Sequence, residues 1–234
     1  MLGSNPLRPQ EVGDGQTLWV QEVFYTLQGE GPFSGEPAVF VRLAGCNLSC
    51  YWCDTEFESS TWRPDLSELM QTIAEVKIPF CNLVVLTGGE PFRQNIRPLI
   101  DGLLSLSNSM RVQIETNGTL WIDLPESDRL HIVCSPKTAN LNQKLVAKVD
   151  SYKYLVAAGQ VDASDGLPTT STQQAGEPAR IARPPAESCA QVFVMPIDAR
   201  DSETNEANIQ ATVSSALTHG YRLTLQTHKL TGIR

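Results

Sequence analysis

The stretch Val41-Arg-Leu-Ala-Gly-Cys-Asn-Leu-Ser-Cys-Tyr-Trp-Cys-Asp-Thr55 places three cysteines, Cys46, Cys50 and Cys53, directly after an apolar run that reads as a strand. A disulfide would use two thiols and strand the third, and a structural zinc site normally takes four protein ligands. An iron–sulfur cluster fits the number better. Thiolates are its usual ligands, and a four-iron cluster held by three cysteines keeps one iron open for an outside ligand. Taken alone, the spacing also allows a zinc knuckle or three unconnected thiols.

Upstream, Ala38–Leu43 is apolar except for Arg42, the pattern of a strand buried on both faces. A buried Arg requires an anion, and Arg42 lies four residues before Cys46, where a substrate carboxylate or a structural ion pair would satisfy it. Leu18–Thr26 reads as an earlier strand ending in Leu27-Gln-Gly-Glu-Gly-Pro32, a loop whose glycines allow either a tight turn or close approach of backbone to a ligand. Residues 1–16, rich in Pro and Gly, read as a flexible lead-in.

Downstream, Asp54 and Thr55 offer oxygen ligands to a hard cation such as Mg2+, although Asp54 is equally suited to capping a turn. Pro64–Val76 carries a helical apolar stripe. Asn82–Thr87 then reads as a buried strand opening into Gly88-Gly-Glu-Pro91, where paired glycines expose backbone and Glu90 can accept hydrogen bonds from an ammonium. A helix over about Gln94–Leu106 is followed by strands at Arg111–Glu115, Leu130–Cys134, Tyr152–Val156 and Gln191–Pro196. A helix over Glu203–Leu217 and a strand at Tyr221–Leu225 complete the series. The pattern predicts an α/β fold in one domain spanning residues 1–234. Its core is a truncated partial (β/α) barrel of about six mainly parallel strands, with ligands gathered at their carboxyl ends. Residues 159–188, rich in Gly, Pro, Ser and Thr, form a surface insertion, either a lid or a passive loop.

Composition bounds the function. With 18 basic and 26 acidic residues the net charge is −8, which disfavours nucleic acid as a partner and favours a small molecule. There is no signal-peptide pattern and no run of 18 apolar residues, so a cytosolic protein without a membrane span is expected. Cys81, Cys134 and Cys189 read as free thiols, mostly buried. His131 and His219 read as structural or exposed, and His228 as a candidate contact to substrate.

The C-x3-C-x2-C loop after a strand resembles that of the radical S-adenosylmethionine (SAM) superfamily, and the GGEP loop is its second independent match. Within that superfamily, FYTLQGEGPFSGEPAVFVRLAGCNLSCYWCDTEF, TGGEP, ETNGT, SPK and a late QTHK, spanning Phe24 to Lys229, resemble the 7-carboxy-7-deazaguanine synthase family. The resemblance implies a homodimeric lyase of queuosine biosynthesis. It would convert 6-carboxy-5,6,7,8-tetrahydropterin to 7-carboxy-7-deazaguanine with loss of ammonia, using a 4Fe-4S cluster, SAM, Mg2+ and a flavodoxin- or ferredoxin-type electron donor.

Carried over by residue, the resemblance implies that Cys46, Cys50 and Cys53 hold the cluster and Thr55 the Mg2+. Trp52, Cys53, Asp54, Gly89, Glu90, Ser135, Pro136, Lys137 and Met195, Pro196, Ile197, Asp198 would line the SAM site. Leu27, Gln28, Gly29, Glu30, Arg42, Thr87 and His228 would meet the substrate, as would Arg234 near the terminus. Two positions depart from the family pattern: Met195 stands where a Gln is frequent, and Arg234 where a small or apolar residue is expected. The competing readings are a radical SAM activase acting on a partner protein, which predicts a broad apolar docking surface, and a zinc-bound interaction module, which leaves TGGEP and SPK without a role.

Overall fold

The computed structural model describes residues 5–51, 53, 55–171 and 180–233. One sheet of eight strands runs in sequence order: β1 Val20–Leu27, β2 Pro37–Leu43, β3 Leu83–Gly88, β4 Arg111–Thr116, β5 Leu130–Cys134, β6 Ser151–Val156, β7 Gln191–Pro196 and β8 Arg222–Leu223. β1 is antiparallel to β2, and every later neighbouring pair is parallel. The count exceeds the expected six because both edge strands read in the sequence join the sheet, β1 antiparallel to β2 and β8 as a two-residue stub.

Period-two alternation decides which face each residue takes. Val39, Val41, Leu43, Val84, Leu86, Val112 and Ile114 share a core with Leu69 and Ile73 of α1 (Leu66–Val76) and Leu99 and Leu103 of α2 (Arg97–Ser105). The intervening residues Phe40, Arg42, Thr87, Glu115 and Lys153 face the barrel interior and line its cavity. A second core joins Tyr152, Tyr154 and Val156 to Val194 and Ala216, the last in α4 (Ser202–His219).

Local chemistry sets the helix ends. Asp65 caps α1 by accepting from the Glu68 N–H at 2.8 Å, and Asp201 caps α4 by accepting from the Thr204 N–H at 2.8 Å. α2 begins at Arg97 rather than Gln94: Gln94 closes the 3-10 turn Pro91–Arg93 with an extended backbone (φ −114°, ψ 156°), and its side chain holds the Trp19 backbone on both sides, at 2.6 and 3.0 Å. The helix–strand alternation is less regular than the pattern predicts. β4 and β5 are joined by an irregular segment whose Leu120, Trp121, Ile122 and Leu124 pack on the core, and between β5 and β6 there is only the short α3 (Gln143–Val146).

β1 and β8 do not pair, yet the gap is bridged where the β1–β2 loop, at the amino end of β2, meets the segment that follows β8. The Gly31 N–H donates to Thr224 Oγ1 at 2.9 Å, and the Thr227 N–H, at the start of α5 (Thr227–Thr231), donates to the Gly29 carbonyl at 3.2 Å. The same loop plugs the amino end of the parallel strands. Phe33 meets His131 edge-on with centroids 5.2 Å apart, while Arg111 lies over the Phe33 ring and pairs with Glu36. The interior is therefore a cup open at one end.

Candidate active site

One side of the cup's rim is the junction of β2 and β3 at their carboxyl ends. Gly88, at φ +139°, has no room for a side chain, since a Cβ there would lie 2.0 Å from the Leu43 carbonyl oxygen, and one on Gly89 would lie 2.2 Å from that of Gly45. The paired glycines thus let the end of β3 press against the backbone entering the cysteine loop, where the Glu90 N–H donates to the Gly45 carbonyl at 3.0 Å.

Beside this junction Cys46, Cys50 and Cys53 line one cavity of about 150 Å3, together with Gly88, Gly89, Thr55 and Lys137. Among the described residues no three His, Cys, Asp or Glu side chains are arranged to hold a single metal ion. A cluster does not require that arrangement, because its cysteines bind different irons. Three thiols on one cavity with a glycine floor fit such a group. Burial, aided by the nearby Glu90, pushes the Cys46 thiol up to about 12, so it needs coordination to become a thiolate.

The neighbouring central cavity, about 280 Å3, gathers most of the expected site residues from the ends of six strands. Leu27, Gln28, Gly29, Glu30, Arg42, Thr87 and His228 line it, as do Cys50, Cys53, Thr55, Gly89, Ser135, Lys137, Met195, Pro196, Ile197 and Asp198. Cys46 lies on the cysteine cavity alone, and Pro136 on a small side cavity that Gln160, Pro168 and Ile181 also line. Glu90 does not line either cavity. It is fully buried, with Oε1 accepting from Thr116 Oγ1 at 2.7 Å and the Phe92 N–H at 3.0 Å, and Oε2 from the Asn117 N–H at 2.7 Å. Its carboxylate ties the β3 and β4 loops together. Burial outweighs these donors and raises its pKa to about 7. Trp52, Asp54 and Arg234 lie outside the described residues.

Gln28 is 2% exposed; its Oε1 accepts from the Glu30 N–H at 3.1 Å, and its Nε2 has no hydrogen-bond partner. A buried amide nitrogen without an acceptor costs free energy unless a ligand supplies one. The Arg42 Nε donates to Glu22 at 2.7 Å, which fixes the guanidinium on the cavity wall. Gly29 is a close-approach position, since a Cβ there would lie 2.1 Å from His228 Nδ1.

Two charged groups to which the motifs gave no role complete the site: Lys153, and Glu115 at the head of ETNGT. Lys153 Nζ donates to Glu30 at 2.6 Å and to Glu115 at 2.7 Å, and Glu30 also accepts from Gln226 Nε2 at 2.9 Å. Burial opposes ionisation of Glu30, but Lys153, Gln226 and His228 together outweigh it and hold the carboxyl at about 2. Burial likewise opposes the charge on Lys153, and the two carboxylates raise its pKa above the ordinary lysine value. The available signal was charge at inward positions of apolar strands, Lys153 in Ser-Tyr-Lys-Tyr-Leu-Val and Glu115 in Arg-Val-Gln-Ile-Glu-Thr.

A cysteine cavity opening beside a ligand cup at the carboxyl ends of parallel strands is the layout of a radical SAM enzyme, and the sequence profile of the Radical SAM superfamily matches residues 41–153. The chain is 55% identical over 235 residues to the 7-carboxy-7-deazaguanine synthase of Rhodospirillum rubrum, covering 98% of each chain. It is 38% identical to that of Rickettsia prowazekii, covering 100% of this chain and 96% of the other. This chain belongs to the 7-carboxy-7-deazaguanine synthase family. The fold is shared with the crystal structure of QueE from Escherichia coli, at a TM-score of 0.66 and 24% identity over 89% of this chain and 93% of that one.

Proposed function

We propose that this chain converts 6-carboxy-5,6,7,8-tetrahydropterin to 7-carboxy-7-deazaguanine, the product for which its relatives are named, with loss of ammonia and as a step toward queuosine. The observation that carries the substrate assignment is the unpartnered Nε2 of Gln28 on a cup walled by Glu30, Arg42 and Lys153. A pterin presents ring acceptors, an amino donor edge and a carboxylate. Gln28 Nε2 donates to a ring acceptor, Glu30 accepts from the amino edge, and Arg42 meets the carboxylate. Thr87 and His228 close the remaining sides, and Gly29 leaves His228 room to do so.

Cys46, Cys50 and Cys53 hold the 4Fe-4S cluster, and Ser135, Lys137 and Met195–Asp198 line the SAM side of the cup. When bound, cluster and SAM supply the radical that takes hydrogen from the substrate. The chain's own work is placement: the two cavities share Cys50, Cys53, Thr55, Gly88, Gly89 and Lys137, so cofactor and substrate meet across one wall. Thr55 on that shared wall is the proposed Mg2+ ligand. The same reading includes a flavodoxin- or ferredoxin-type electron donor, a homodimer and a cytoplasmic location. Among the described residues no helix is long and apolar enough to cross a membrane.

The test is anaerobic reconstitution with iron and sulfide, reduction, and incubation with SAM, Mg2+ and the carboxypterin, following product by mass spectrometry. Deazaguanine formed without net consumption of SAM supports the assignment. SAM cleavage with no deazaguanine overturns the substrate and keeps the class.

A further inference from the structure

The chain ahead of β1 reaches across the barrel to the cysteine loop. Leu7 forms a parallel bridge with Cys46, and the Arg8 N–H donates to the Cys46 carbonyl at 2.7 Å. Asn5 Nδ2 reaches the Thr55 carbonyl at 3.4 Å, and Asn5 is itself on the wall of the cysteine cavity. Further along, Gln10 Nε2 donates to the carbonyls of Phe92 and Trp121, both at 2.8 Å, and the Glu11 N–H donates to the Arg93 carbonyl at 2.7 Å.

These contacts converge on a buried cation. Arg93 is 2% exposed, its NH1 pairs with Glu11 at 2.8 Å and reaches the Pro9 carbonyl at 3.3 Å, and its NH2 donates to the Ala44 carbonyl at 3.2 Å. Its guanidinium fills the space beside Gly45, where a Cβ would lie 2.5 Å from the Arg93 Nε. Arg93 thus holds the start of the cysteine loop from below and the leading segment from outside. Arg8 adds an outer tie, pairing with Glu58 at 3.0 Å on the far side of the same loop.

We propose that residues 5–12 act as a strap over the cysteine loop, positioning Cys46 and Thr55 and covering the outer wall of the cluster cavity. The proposal rests on the reading of Cys46, Cys50 and Cys53 as cluster ligands. Asn5, Arg8 and Gln10 are positioning residues; they act through the loop. The segment is largely exposed, so its hold comes from hydrogen bonds and ion pairs, and local opening exposes the cluster without unfolding the sheet.

The test compares reconstituted full-length wild type, the Arg8→Ala/Gln10→Ala double variant and the conservative Arg8→Lys variant. The readouts are iron content, decay of the cluster's visible absorbance in air-saturated buffer, iron release to a chelator without oxygen, and SAM affinity. The double variant should bleach and release iron about tenfold faster, as expected when two or three anchoring bonds are lost from a locally opening segment. SAM affinity and the melting temperature of the cluster-free chain should be unchanged, and Arg8→Lys should behave like wild type. Equal bleaching and iron release in wild type and double variant overturn the strap. Failure of wild type to take up iron and sulfide instead overturns the cluster reading beneath it. If the double variant melts early, amide hydrogen exchange in the loaded wild type decides: protection of the Arg8 and Glu11 N–H groups supports the strap, and free exchange overturns it.

Discussion

The two sides of the central cup handle buried acid in opposite ways. On the side of β1, β4 and β6, Glu30 and Glu115 flank Lys153, and Glu30 is held at about 2. On the side of β3, Glu90 meets only neutral donors and rises to about 7. Both carboxyls are buried, and the difference is the cation within hydrogen-bond reach. At Glu90 the hydroxyl and amide donors do not offset the loss of solvent, whereas at Glu30 the cation does. The first side therefore keeps a fixed charge pattern available for recognising a polar ring, while the second ties two loops together.

Removing the cation is the strongest way to break this contrast. Lys153→Met leaves two buried carboxylates facing each other and should lower stability by about 3–5 kcal/mol in urea unfolding. Adding Glu30→Gln to that variant should restore part of the loss, and no restoration would refute the pairing.

The pH dependence of Glu90 comes next. Its carboxyl titrates near 4.5 in the unfolded chain and at about 7 in the fold, so the folded state binds the proton more tightly. The stability this group contributes is complete below pH 4.5 and is lost as pH rises through about 7, a decline on the order of 3 kcal/mol. Urea midpoints taken from about pH 5 to 8 should show that slope in wild type and a flatter one in Glu90→Gln. Parallel slopes would mean that Glu90 is not the group titrating.

Smaller effects belong to the substrate wall. Gln28→Ala should reduce kcat/KM for the carboxypterin about tenfold, with SAM affinity unchanged. Gly29→Ala forces its new methyl into the His228 ring and should reduce kcat/KM by about three- to tenfold, since a ring can rotate where backbone cannot. A larger effect from Gly29→Ala than from Gln28→Ala would shift the main recognition role to His228.

The sheet was legible because short apolar runs alternate with polar or glycine-bearing segments, and the cysteine loop and Gly88-Gly-Glu-Pro91 fixed which ends carry ligands. The cup's members were named through the family resemblance, and Gln28, Arg42, Ser135 and Ile197 lie on its wall. Other features depend on distance in space. Lys153 meets partners 123 and 38 positions away, and nothing near it in sequence announces the pairing. Glu90 carries the expected motif, yet its direction depends on β4 supplying Thr116 and Asn117, so motif membership did not reveal that it faces inward. The contacts of residues 5–12 run largely through backbone N–H and carbonyl groups, which composition does not encode.

The bridge between the β1 loop and the segment after β8 also carries a consequence in time. Gly31 with Thr224, Glu30 with Gln226, and Gly29 with Thr227 are contacts across 193, 196 and 198 positions of chain. Neighbouring strands pair in sequence order and need only local loops to close, whereas these contacts must wait for the two edges to meet. During refolding, secondary structure should therefore return before the cup is able to bind, leaving an interval in which the chain has its sheet but not yet its chemistry.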